Sequence, residues 1–203
     1  QGIYWSITAK GLAYLDTFAK PSQDAISHVA RNINAHNDKQ VKLLRERLKD
    51  MHPTRFEVLV RDLLEAMGYE EVEVTKASGD KGVDVVAKVQ FGITTITEVV
   101  QVKRHQASIG RPVLDQLRGA LPYHKALRGT IITLGNFTQG CQEAALFPGA
   151  APIGLINGEK LIELLTEHEI GLKKRPTPVY EVDEDYFAEG EPTIFDANAV
   201  PED

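Results

Sequence analysis

Three residues near the middle of the chain, Asp84, Gln101 and Lys103, carry side chains suited to a hard cation and a phosphate. A carboxylate and an amide carbonyl supply oxygen ligands of the kind that select Mg²⁺, an ion that keeps several waters and takes only one or two protein carboxylates. An ammonium beside them suits charge developing on a phosphate, or the orientation of an attacking water. Such chemistry requires the three groups to converge, so it depends on the elements that carry them.

Those elements read as a hairpin. Val83 to Ala87 and Thr97 to Lys103 are rich in Val, Thr and Ile and are bounded by turns containing Gly. A two-residue loop with Gly92 first and Ile93 second predicts a type II′ turn. Paired positions then add up to 185, which sets Asp84 opposite Gln101. Opposed residues share a face and side chains alternate with period 2, so Asp84, Gln101 and Lys103 are expected on one face, with Val100 and Val102 pointing into a core. The plainer alternative is a surface hairpin whose polar face is simply solvated.

Gly82-Val83-Asp84, sixteen residues, then Gln101-Val102-Lys103 resembles the PD-(D/E)xK nuclease signature in the Gln-x-Lys form of Mrr-like restriction endonucleases. The resemblance runs from about residue 51 to 170. It takes in Phe56-Glu57, Gly129-Thr130-Ile131-Ile132-Thr133 and Leu155-Ile156-Asn157-Gly158-Glu159-Lys160-Leu161. It implies a restriction-endonuclease-like α/β fold, a mixed β-sheet flanked by helices, and a divalent-metal-dependent deoxyribonuclease. Asp84, Gln101 and Glu57 would hold Mg²⁺ or Mn²⁺, and Lys103 would position or polarise the attacking water. The departure from the wider pattern is Gln101, where most relatives carry Asp or Glu. An amide brings a carbonyl oxygen without charge, so metal affinity would depend more on Glu57 and Asp84. Glu57 also has a local reading, because Thr54-x-x-Glu57 is a capping box.

The net charge of −6 is unusual for a DNA-binding protein until it is divided along the chain. Nine of the 29 acids and none of the 23 Lys and Arg lie in residues 176–203, leaving residues 1–175 with 20 acids and a charge of +3. Lys103, Arg104, Arg111, Arg118, Lys125 and Arg128 cluster after the hairpin, as phosphate contacts require and as a solvated helix face also would. Of these, Arg104, Arg111 and Arg118 are the expected DNA contacts. Gln116 joins them because similar proteins place a polar residue near here beside the active site. The single Cys141 has no base near it in sequence and reads as a small helix residue. No apolar run of about 18 residues and no signal-peptide pattern occur, so neither a membrane span nor secretion is indicated and a cytoplasmic location is expected.

Residues 1–20 read as a strand over Ile3 to Ile7 and a helix beginning at Thr8, similar to the end of a winged-helix domain, or else as an appendage of the core. Residues 21–50 read as a helical linker interrupted near Asn34 to Asp38, with His28 and His36 facing solvent. Residues 51–172 form the catalytic domain. A helix ends at Gly68, and a strand over Glu71 to Thr75 leads into a loop in which Asp80 is a turn former. A helix with Pro112 in its first turn, a buried strand from Gly129, a helix capped by Thr138, a strand from Pro152 and a helix from Gly158 follow. Residues 173–203 form an acidic tail, solvated or screening a DNA groove, in which Tyr180, Val182, Tyr186 and Phe187 are candidates for docking. The implied function is hydrolysis of phosphodiester bonds in double-stranded, modified and usually methylated DNA, with a homodimer as the expectation for cutting both strands. The alternatives are an inactive DNA-binding module of the same fold and a nuclease for branched, Holliday-junction-like DNA.

Overall fold

The computed structural model describes residues 23–75, 82–183 and 186–187, with side chains described from residue 26 on. The reading of residues 1–20 and of the loop holding Asp80 lies outside them. The helices are α1 (Gln23–Asp50), α2 (Pro53–Ala66), α3 (Arg111–Ala120), α4 (Gln139–Ala145) and α5 (Gly158–Glu167). The strands are β1 (Glu70–Val74), β2 (Val85–Phe91), β3 (Thr94–Lys103), β4 (Arg128–Thr133) and β5 (Ile153–Ile156). They form one five-stranded sheet in the order β1-β2-β3-β4-β5. Pairing is antiparallel from β1 to β3 and parallel from β3 to β5. The parallel pairs need crossovers, which α3 and α4 supply on one face, while α2 and α5 cover the other.

The chain forms two cores. Val85, Ala87 and Val100 pack against α2, α5 and the last turns of α1 on one face. Val83, Val99 and Ile131 pack against α3 and α4 on the other. Within α3, Leu114 and Leu117 are buried, as the helical spacing predicts. Thr138 caps α4 by accepting from the Cys141 amide, and Asn157 caps α5 by accepting from the Lys160 amide. Cys141 is buried among apolar side chains, and burial, with Asp115 adding to it, pushes its thiol pKa up.

Two local expectations fail. The linker helix has no break at Asn34 to Asp38, and α1 runs through for 28 residues. Asn and Asp are weak helix formers but still carry backbone donors, and no Pro or Gly interrupts residues 23–50. The capping box at Thr54 is also absent, since the N-cap is His52 and it makes no side-chain cap bond. Pro53, with its fixed φ and missing N–H, starts the helix two residues early and leaves Glu57 too deep in it to reach back. The end of α2 is as expected, with Gly68 at φ +87° stopping the helix.

The chain divides after Lys173 into a body and a C-terminal segment. In that segment Val179, Tyr180, Val182, Tyr186 and Phe187 are all exposed.

Candidate active site

The hairpin register is the one the turn predicts. Phe91 pairs with Thr94 and Val85 with Val100, and Gly92 takes φ +61° as the first residue of a type II′ turn must. At Asp84 the regular alternation breaks. Val83 and Val85 are two residues apart yet enter opposite cores, so the chain twists between them. Asp84 is held on both sides, its N–H donating to the Val100 carbonyl at 2.9 Å and its carbonyl accepting from the Thr75 amide at 2.9 Å. The twist turns the carboxylate edge-on into the ladder, where Oδ2 accepts the Val102 N–H at 2.6 Å. Asp84 therefore sits between Gln101 and Lys103 rather than side by side with them on one flat face.

Gln101 faces α3. It is 1% exposed, and among the described residues its Oε1 finds no hydrogen-bond partner. A buried carbonyl oxygen without a donor costs on the order of 1–3 kcal/mol, so a ligand or water is the expected complement. Gly82, at φ +83°, brings backbone against this amide. A Cβ at that position would lie 2.7 Å from Gln101 Nε2 and 3.2 Å from Gln116 Nε2. The structure thus brings Gln116 beside Gln101.

Lys103 ends β3 and lines a cleft of about 150 Å³ with Pro53, Phe56, Glu57, Val102, Arg104 and His105. That volume holds a few waters or phosphate oxygens and is small for a nucleobase. Glu57 comes from α2 and Lys103 from the sheet, so the cleft joins two elements far apart in sequence. Arg104 donates to the carbonyl of Lys49 at the end of α1. Arg118 is taken up internally, donating to the carbonyls of Ala151 at 2.9 Å and Ala144 at 2.6 Å, and it lies outside the cleft lining. Arg111 is exposed and pairs with Asp115 at 3.1 Å. Arg128, one of the clustered bases, reaches Glu98 instead. His105 and Pro53 were missed in the sequence because neither belongs to a recognisable spacing, and only the packing of α2 on β3 brings them in.

Among the described residues no group of three or more His, Cys, Asp or Glu side chains comes together as a metal cluster. Glu57 lines the cleft with Lys103, whereas Asp84 and Gln101 are not among its lining residues and lie next to it, Gln101 on β3 and Asp84 beside that strand.

Residues 48–165 match a protein family, Mrr_cat, described as a restriction endonuclease. Over 147 residues, 70% of this chain and 47% of the relative, the sequence is 36% identical to the type IV methyl-directed restriction enzyme EcoKMrr of Escherichia coli (strain K12). The chain thus spans about half the length of that relative. Among solved structures, the DNA modification-dependent restriction endonuclease AspBHI aligns at a TM-score of 0.54 and 15% identity, over 66% of this chain and 36% of that one. The MspJI restriction endonuclease in complex with a 27-mer oligonucleotide aligns at 0.52 and 20%, over 63% and 30%. At these identities the two structures speak for the fold, and the family match carries the rest: the chain belongs to the Mrr-type restriction endonuclease family.

Proposed function

We propose that this chain is the catalytic part of a divalent-metal-dependent endonuclease that hydrolyses phosphodiester bonds in double-stranded DNA carrying modified, methylated bases. The observation that carries the reading is the buried Gln101 Oε1, which lacks a donor among the described residues and lies beside an edge-on carboxylate near the strand end that bears Lys103. An acceptor buried without a donor fits a cation, and an amide oxygen next to carboxylates is a donor set that Mg²⁺ or Mn²⁺ accepts. Asp84, Gln101 and Glu57 would hold the ion. When bound, it supplies Lewis-acid polarisation of the scissile phosphate and charge neutralisation.

The protein's own groups do the positioning. The two backbone bonds of Asp84 fix its carboxylate, and the wall of α3 fixes Gln101, so both are oriented before substrate arrives. Among the described residues Lys103 makes no hydrogen bond or ion pair, which leaves its ammonium available to a phosphate oxygen or an attacking water. Arg104 and Arg111 extend the positive charge for backbone contacts, and Gln116 stands beside the catalytic amide. Arg118 is turned inward, its side chain only 18% exposed and committed to the protein's own carbonyls, and is withdrawn from the DNA-contact set. The methylated-base preference is carried over from EcoKMrr, a methyl-directed enzyme, and AspBHI, a modification-dependent one.

Lys103→Ala tests the proposal directly. It removes the ammonium without removing a metal ligand, so DNA and Mg²⁺ binding survive while cleavage of methylated DNA falls about a hundredfold or more. Asp84→Ala abolishes cleavage. Wild-type protein that binds DNA yet leaves linear methylated, linear unmodified and four-way-junction DNA intact with either Mg²⁺ or Mn²⁺ would establish the binding module instead.

A further inference from the structure

Helix α1 is an arm that no described residue covers over most of its length. Every residue from Ile26 to Gln40 is exposed, and among the described residues the helix meets the body only through its last turns, at Val41, Leu44 and Leu48. Most helical stability in proteins comes from tertiary packing, which this exposed arm lacks among the described residues, and Asn32 to Gln40 is built largely of weaker formers. The arm nevertheless has a seam. Ile26, Val29, Ile33, His36, Gln40 and Leu43 recur at alternating spacings of three and four, the a/d pattern of a coiled coil. Its four apolar members are 44%, 46%, 41% and 44% exposed. Leu43 and Leu44 point about 100° apart around the helix, so the first stays free while the second packs on the body.

We infer that this seam pairs with the same seam of a second copy of the chain, as an antiparallel two-helix contact. The seam is complementary to itself. Positions that add up to 69 meet, setting Ile26 against Leu43, Val29 against Gln40 and Ile33 against His36. At the flanks Lys39 falls beside Asn32 and Ala30 beside Asn37, so no like charges face each other. Four half-exposed apolar side chains per copy are far fewer than the roughly 20–30 residues a side of a standard interface. The pairing is therefore weak and concentration-dependent. It does not rest on the catalytic reading, and its test uses no cleavage.

Sedimentation of the intact chain should show a monomer–dimer equilibrium, and Ile33→Asp, which sets a carboxylate in the seam, should weaken it about a hundredfold or more with little loss of thermal stability of the body. Cross-linking tests the orientation, and it is clean because the single Cys141 is buried. Under mild oxidation I33C/H36C should form a covalent dimer and I33C alone should not. A covalent dimer from I33C alone means a parallel pair and overturns the register. A chain that stays monomeric at millimolar concentration, or a dimer that Ile33→Asp leaves intact, overturns the proposal, and a lowered melting temperature of a monomeric Ile33→Asp assigns the seam to another part of the same chain.

Discussion

Gln101 is the uncharged member of the proposed ligand set and lies in a place almost sealed from water. Replacing it with Glu gives the ion a hard anionic oxygen, so Gln101→Glu should bind Mg²⁺ more tightly than wild type, as titration calorimetry would measure. The same change buries a carboxylate that has no ion to balance it in the metal-free protein. A side chain 1% exposed has little water to fall back on, so metal-free Gln101→Glu should melt several degrees below wild type and recover on addition of Mg²⁺. Equal melting temperatures with and without the ion would place position 101 outside the metal site. The residue types at 84, 101 and 103 were readable from spacing alone. The edge-on turn of Asp84 was not, because alternation is a rule about regular strands and the chain twists at this residue.

At the scale of elements, the turn at Gly92 fixed the hairpin register and the apolar spacing of α2, α3 and α5 fixed which faces they bury, so the sheet and its order of helices followed from local pattern. Start positions were less readable. Pro53 displaced the start of α2, and an Asn-rich stretch with no true breaker continued α1. Local pattern also could not show the polar cluster five residues upstream of Lys103 on the same strand. There Glu98, almost fully buried, accepts from Thr130 at 2.5 Å, Tyr69 at 3.0 Å and Arg128 at 2.6 Å, bringing β3, β4 and the turn between α2 and β1 together. Burial first, then the Glu98 charge, raises the Tyr69 pKa and keeps its phenol protonated as a donor. Glu98→Ala leaves a cation and two donors without their acceptor and should destabilise the fold by about 3 kcal/mol in denaturant titrations. Because the cluster lies toward the far end of β3 from the catalytic cleft, the folded fraction of that variant should keep its cleavage rate.

For the whole molecule, charge is divided so sharply that a single cut in the chain reverses its sign. Residues 1–175 carry 23 basic and 20 acidic groups, whereas the remaining 28 residues carry nine acids and no Lys or Arg. A chain ending after Arg175 should bind duplex DNA more tightly than the full chain at low salt. Its affinity should fall more steeply with salt concentration, and the two chains should converge as screening removes the difference. Equal slopes would mean that the acidic residues have no bearing on DNA binding.

The unbroken length of α1 also turns the paired arms into a ruler. Asp50 closes the helix beside the strand end that bears Lys103, tied there through Arg104 and Lys49. About a symmetry point between Asn34 and Ala35, the Asp50 ends of two antiparallel copies stand about 46 Å apart at 1.5 Å per residue. Two sites held at that separation span roughly 14 base pairs of one duplex. Breaks in opposite strands made by one pair of chains should then lie more than a helical turn apart, giving long single-stranded overhangs on sequencing gels. Shortening α1 by seven residues within the seam, which preserves its a/d phase, should draw the breaks together by about three base pairs.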